Sequence, residues 1–253
     1  MTSTAQRRSG RKRKLSPLGR LITFGGVVLI LFLGVTVFFR VDTIRIDGDT
    51  RYTLEEVTAV AGVERGAHML FLDPYAIKAN IQAGLPYAGQ VTLRRQFPSR
   101  LEVTITDTEA IAAVPGPGGY WLLSRDAKLL EHLETRPVQP VIRVRGIGET
   151  TNPAVGEMLY LGEEREYELR YLRDILSALD ILGIAAGVSE LDLSDLHNPQ
   201  LLYDKRLEVQ LGPNRNLQGK MNMLAGILDH LEYDENGTID LNPEQPVFRA
   251  HDL

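Results

Sequence analysis

Between Leu21 and Phe39 the chain runs for 19 residues without a charged side chain, and no face of the stretch is polar. At ~1.5 Å rise per residue a helix over it extends about 28 Å, close to the roughly 30 Å hydrocarbon core of a bilayer. A helix is also the conformation in which such a segment satisfies its own backbone hydrogen bonds in lipid. The pattern therefore predicts a transmembrane helix over 21–39, bracketed by Arg20 and Arg40. A cleaved signal peptide is the rival, but the run exceeds the usual apolar region and Val37, Phe38 and Phe39 offer no small-residue cleavage site. Gly26 and Gly34 either let a second span approach closely or simply face lipid.

Past Arg40 the pattern becomes that of a globular chain. Thr43 to Asp47 alternates as a strand and stops at Gly48. Thr53 and Glu56 have capping-box spacing, followed by a short helix with Leu54, Val57, Val60 and Ala61 on one face and Gly62 at its end. Asp73 and Pro74 supply an N-cap and first helical residue for a second helix, with Ile77 and Ile81 inward and an end near Gly84. Strands over Gln90–Gln96 and Arg100–Asp107 follow, with Pro98 in a tight connection. The order β-α-α-β-β predicts an α+β unit with two helices on one face of a three-stranded sheet.

The remainder is strand-rich. Pro115 to Gly119 reads as a turn cluster, and Tyr120–Leu123 and Leu129–Leu133 flank a hairpin turn at Arg125–Lys128. Pro140 interrupts Val138–Arg145, which predicts an edge strand or an irregular crossing. Residues 147–162 read as loop. Glu164–Leu182 is a long amphipathic helix with Leu169, Leu172, Leu176 and Leu179 as its stripe. Short strands follow at Val188–Leu193, Leu201–Tyr203 and Leu207–Leu211, then a helix from Asn216 with Leu217, Met221, Leu224, Leu228 and Leu231 inward. Thr238–Leu241 and Pro246–Ala250 are the last extended pieces. The division is a disordered basic tail over 1–20, a span over 21–39, a first domain over 40–108 and a strand-rich domain with two helices over 109–253.

Charge orients this arrangement. Residues 1–20 hold seven basic side chains and no acidic one, whereas residues 21–253 sum to −12 within a total of −5. The positive-inside bias places the N-terminus in the cytoplasm and everything after Arg40 outside it. The basic tail suits anionic lipid headgroups, and the acidic exterior argues against nucleic acid. With 0 cysteines there is neither a disulfide framework nor thiol chemistry.

Candidate chemistry is sparse. The histidines at 68, 132, 197, 230 and 251 lie too far apart in sequence for a local metal motif. Gly219-Lys220-Met221 lacks both the earlier glycine and the Ser/Thr of a phosphate loop, so Lys220 reads as an ordinary helix residue. The acidic pairs Glu55-Glu56 and Glu163-Glu164 sit at helix starts, where negative charge suits the dipole. No catalytic, cofactor or metal site is predicted. Trp121 serves either a strand's core face or a contact surface. What remains is a binding edge. Leu241 to Arg249 has little chain after it to cover it, and Val247, Phe248 and Arg249 would give two apolar anchors and a charge for strand addition. The same residues could equally finish the domain's own sheet, and both hold if one edge of that strand is free. Arg170 and Arg173 on the long helix are further candidates, although surface arginines commonly only solvate a face.

Ile44, Ile46 and Gly48, the helix start at Thr53–Glu56, and the run Val91, Leu93, Arg94, Arg95, Phe97, Pro98, Leu101, Val103 resemble a POTRA domain. More narrowly, they resemble the one behind the membrane anchor of FtsQ/DivIB bacterial division proteins. The usual Glu-Arg-x-Pro-Val-Ala is replaced by Thr108, Glu109, Ala110, Ile111 and Ala112, which shifts the domain boundary by a few residues. Leu207–Gly212, Lys220, Ile239–Leu241 and Pro246–Arg249 sit in the order and spacing of that family's β domain. The resemblance implies a non-enzymatic, bitopic scaffold at the division site of the inner or plasma membrane. It implies capture of FtsL- and FtsB/DivIC-type coiled-coil partners by the C-terminal part of the β domain, carried here onto Val247, Phe248 and Arg249. The rivals are a membrane-anchored envelope enzyme and a POTRA-bearing transport or chaperone protein. The first would show a pocket of carboxylates with perturbed pKa, and the second further POTRA copies or a barrel.

Overall fold

The computed structural model describes residues 17–148, 150–232, 235–242 and 246–250. Most of the tail expected to be disordered, residues 1–16, lies outside them. Contacts divide the chain into two compact units, one of Met1–Arg45, Val63–Leu72 and Arg94–Glu102, the other of Ile46–Gly62, Asp73–Leu93 and Val103–Leu253.

The first unit begins with helix α1, Pro17–Phe38, 22 residues long. Its described large apolar side chains, among them Leu21, Ile22, Phe24, Leu29, Ile30 and Leu31, are exposed. Several of its other side chains lie outside the description, and among the described residues no helix is long and apolar enough to cross a membrane. The chain leaving α1 is held at once. Met69 N–H donates to the Phe39 carbonyl at 2.7 Å, Val41 N–H donates to Ala67 O at 2.9 Å, and Asp42 N–H donates to Ser99 O at 2.9 Å. Val41, Val63, Met69 and Leu101 are buried in this unit.

Three strands, β1 (Thr43–Asp47), β2 (Ala88–Gln96) and β3 (Arg100–Asp107), form a sheet in the order β1-β3-β2. Between β1 and β2 come α2 (Leu54–Ala61) and α3 (Pro74–Gly84). Both starts are as the local signals predict. Thr53 and Glu56 close a full capping box on α2, and the Asp73 carboxylate accepts from the N–H groups of Tyr75 and Ala76 at the head of α3. Val57, Ala61, Ile77 and Ile81 are buried, but Leu54, placed on the same stripe by spacing, is 46% exposed. The helices are in close contact at Gly84, where a Cβ would lie 2.7 Å from Val60 Cγ1.

The rest of the second unit is one nine-stranded sheet of order β12-β11-β10-β9-β8-β7-β4-β5-β6. Its strands are β4 Ala112–Gly116, β5 Gly119–Leu123, β6 Leu129–Leu133, β7 Ile142–Arg145, β8 Val188–Asp192, β9 Gln200–Tyr203, β10 Leu207–Gln210, β11 Gly237–Asp240 and β12 Val247–Ala250. Helix α4 (Glu166–Ile181) joins β7 to β8 and α5 (Leu217–Leu228) joins β10 to β11. Each of these strand pairs is parallel, which requires such a crossover. The main core lies between the helices and one sheet face, with Tyr171, Leu172, Ile175, Leu176 and Leu179 from α4 and Met221 and Leu224 from α5 against Val144, Leu191, Leu201, Val209 and Ile239. Trp121 is part of it.

Three local readings change. The turn cluster read over Pro115–Gly119 narrows to a turn at Pro117–Gly118, because Pro115 and Gly116 finish a strand over Ala112–Gly116: Pro115 pairs with Tyr120 of β5, while pairing with β7 stops at Ala113, so the missing N–H of proline is not needed there. The stretch around Pro140 contains a central strand, not an edge, because β7 begins two residues after the proline and pairs with both β4 and β8. Asn216 precedes α5 in a left-handed conformation without a side-chain capping bond.

Candidate functional site

The two outer strands of the nine-stranded sheet differ in how they are covered. The start of β6 is bonded on its far side by a loop, since Leu129 N–H donates to Glu157 O at 2.8 Å and Gly156 N–H donates to Leu129 O at 2.7 Å. At the other end β12 has β11 as its one neighbour among the described residues. The pair is antiparallel, with Gly237 opposite Ala250, Thr238 opposite Arg249, Ile239 opposite Phe248 and Asp240 opposite Val247. In such a pair alternate main-chain groups point away from the neighbour, so β12 offers a ladder for one more strand.

Side chains on this edge alternate as strand geometry demands. Phe248 is half-buried against the main core, whereas Val247 and Arg249 point the other way and are exposed. The Phe248 ring lies over Gly237, where a Cβ would come 2.6 Å from Phe248 Cε2 and collide with the Arg249 carbonyl. Glycine is therefore what gives the aromatic ring its seat. Leu241 is fully buried, and its N–H donates to Gln210 O at 2.9 Å, so it anchors the edge from within rather than lining it.

Beneath the edge is a braced loop. Lys220 of α5, 8% exposed, donates from Nζ to Leu211 O at 2.6 Å and to Pro213 O at 3.0 Å. Burial lowers its pKa. The Tyr171 hydroxyl donates to Gly212 O at 2.6 Å, and burial raises its pKa. Gly212, at φ +65, leaves space for Asn242, whose Oδ1 would lie 2.6 Å from a Cβ at that position. Lys220, expected to be an ordinary helix residue, thus supports the loop packed against the end of β11. Nothing in its spacing separates it from a solvated helix lysine, because its partners are backbone carbonyls of another element. Arg170 and Arg173 lie on α4 instead, with Arg170 exposed and its guanidinium 5.7 Å from the centre of the Tyr167 ring.

Among the described residues no group of three or more His, Cys, Asp or Glu side chains is placed to hold a metal ion. The acidic groove of about 580 Å³ lined by Asp107, Glu109, Arg125, Asp126 and Asp180 contains carboxylates already engaged: Asp180 with Arg125 at 3.2 Å and Asp107 with Arg51 at 3.1 Å. Glu56 is lowered by its bonds from the Thr53 backbone and hydroxyl, in keeping with its capping role.

Residues 39–107 match the family model for the POTRA domain, FtsQ-type. Along 94% of the chain and 92% of its own length, the cell division protein DivIB of Clostridium botulinum is 22% identical. The cell division protein FtsQ of Corynebacterium glutamicum is 29% identical over 65% of the chain and 76% of its own length. That of Bradyrhizobium diazoefficiens is 26% identical over 62% of the chain and 51% of its own length. The chain carries an FtsQ-type POTRA match and is similar over most of its length to FtsQ and DivIB cell division proteins. The POTRA match covers β1 to β3, and the braced β10–β12 edge lies outside it, in the nine-stranded sheet.

Proposed function

We propose that this protein is a bitopic, non-enzymatic scaffold of the bacterial division apparatus. In this reading α1 spans the inner or plasma membrane with the basic tail in the cytoplasm, residues 40–108 form the POTRA domain, and residues 109–253 form the β domain. The charge-free run Leu21–Phe39 lies almost wholly in one helix of 22 residues, about 33 Å at ~1.5 Å per residue, which supports the span. The basic excess of residues 1–20 supports the orientation.

The observation that carries the binding function is the one-sided pairing of β12. An extended segment of a partner adds to its free edge, gaining main-chain hydrogen bonds, while Val247 and Arg249 on the exposed face select the partner. Phe248 and Leu241 seat the strand. The partners are FtsL- and FtsB/DivIC-type single-pass coiled-coil proteins, as the family resemblance implies. Arg170 and Arg173 would add contacts on α4 if the partner extends that far.

The test compares affinity purification from membranes with the full chain, with Phe248→Ala and with a chain ending at Asp240, each checked for native circular dichroism. Small coiled-coil membrane proteins should come down with the full chain alone. Their recovery with a folded truncated chain would remove β12 from the function.

A further inference from the structure

We propose that the surface around the exit of α1 is a docking face for the headgroup region of an anionic bilayer, formed by Leu70, Phe71 and Phe97 with Arg65, Arg94 and Arg100. The proposal rests on the reading of α1 as a membrane span.

The unit that contains α1 gathers these residues at one place. The Phe39 carbonyl, one residue beyond α1, accepts from Met69 N–H, and Arg40 and His68 form an isolated antiparallel bridge. Leu70 and Phe71 follow directly in a single helical turn over Met69–Phe71. Phe39 also meets Phe97 edge to face, with ring centres 5.4 Å apart, in the connection between β2 and β3. Two separate loops thus converge on the first residue after α1. Both present large apolar side chains outward: Phe71 is 82% exposed and Phe97 57%. Phe38, the last residue of α1, is 69% exposed as well.

Charge identifies what covers it. Segments 40–45, 63–72 and 94–102 of this unit hold six basic residues against three acidic, whereas the other unit holds 15 basic against 30 acidic. Arg65, Arg94 and Arg100 are exposed. Aromatic rings and arginines beside the end of an apolar helix match the membrane–water boundary, where rings sit among headgroups and guanidinium groups meet anionic lipid. The acidic unit is repelled by the same surface potential. Attachment through the exit of α1 therefore gives the first unit a preferred face towards the bilayer.

The absence of cysteine permits a direct test on the full chain in nanodiscs. Single nitroxide labels at Phe71→Cys and Phe97→Cys are compared with labels at Ile30→Cys, as a lipid reference, and Lys205→Cys, as an aqueous reference. Their accessibility to oxygen and to a water-soluble nickel chelate is read by electron paramagnetic resonance. Labels at 71 and 97 should be shielded from the chelate at least several-fold relative to position 205 in phosphatidylglycerol-containing discs. The shielding should weaken in pure phosphatidylcholine and in the combined Arg65→Glu, Arg94→Glu, Arg100→Glu variant. Aqueous labels at 71 and 97 beside a lipid-buried label at 30 would overturn the docking face and leave the span intact. An aqueous label at 30 would remove the span and the proposal together. Equal shielding in lipid-free amphipol would assign the face to protein rather than lipid and overturn it too.

Discussion

Replacing Gly237 by alanine should unseat β12 without touching any residue of the free edge. A methyl group there would lie 2.6 Å from Phe248 Cε2 and 3.0 Å from its Cζ, with the Arg249 carbonyl closer still. The ring could yield, but the carbonyl belongs to the strand itself, so the backbone of β12 must move. Gly237 is not among the residues with a left-handed backbone, so crowding alone is responsible. Overpacking of this kind costs about 1–3 kcal/mol. Since about 1.4 kcal/mol is tenfold in an equilibrium constant, the seating of β12 should weaken by roughly 5- to 150-fold. Partner affinity falls only by the fraction of molecules that lose a seated strand. Hydrogen exchange should show faster amides on β11 and β12 with unchanged protection in β4 to β9, alongside reduced recovery of coiled-coil partners. Unchanged exchange in β12, or full capture despite accelerated exchange, would refute the argument that a seated edge strand is the binding element.

Two further predictions concern buried lysines. Lys220→Met should leave the Leu211 and Pro213 carbonyls without their donor, at about 1–3 kcal/mol for a buried acceptor left unpaired, read as a lower urea midpoint. An unchanged midpoint would show that the loop does not depend on this ammonium. Lys128, 9% exposed, donates to Leu85 O and Ala88 O at 3.3 Å each, and burial lowers its pKa to about 8 from 10.5. Between those values the unfolded chain binds more protons than the folded one, so stability rises with pH. The stability of the native chain relative to Lys128→Met should therefore increase from pH 8 towards pH 10.5, and a flat difference would contradict the depressed pKa.

Elements whose signals are contained within a few residues were legible directly. The capping box at Thr53, the Asp73–Pro74 start, the stripe of α4 and the alternation of β1 and β10 each follow from contacts between residues a few positions apart, or from period-two patterning. The extended character of 247–249 was legible too, because Val247 and Phe248 are strand-forming residues that follow Pro246. Tertiary structure decided which strands are neighbours. β7 is central although Pro140 suggested an edge or an irregular crossing, β4 runs on through Pro115 and Gly116 to a turn at Pro117–Gly118, and β10 and β11 run parallel across α5. Pairing depends on which strands close a common core, and a proline excludes a strand only where its missing N–H would have faced a partner. The roles of Lys220 and Gly237 were equally invisible. One is set by two backbone carbonyls brought to it by folding and the other by an aromatic ring from the opposing strand.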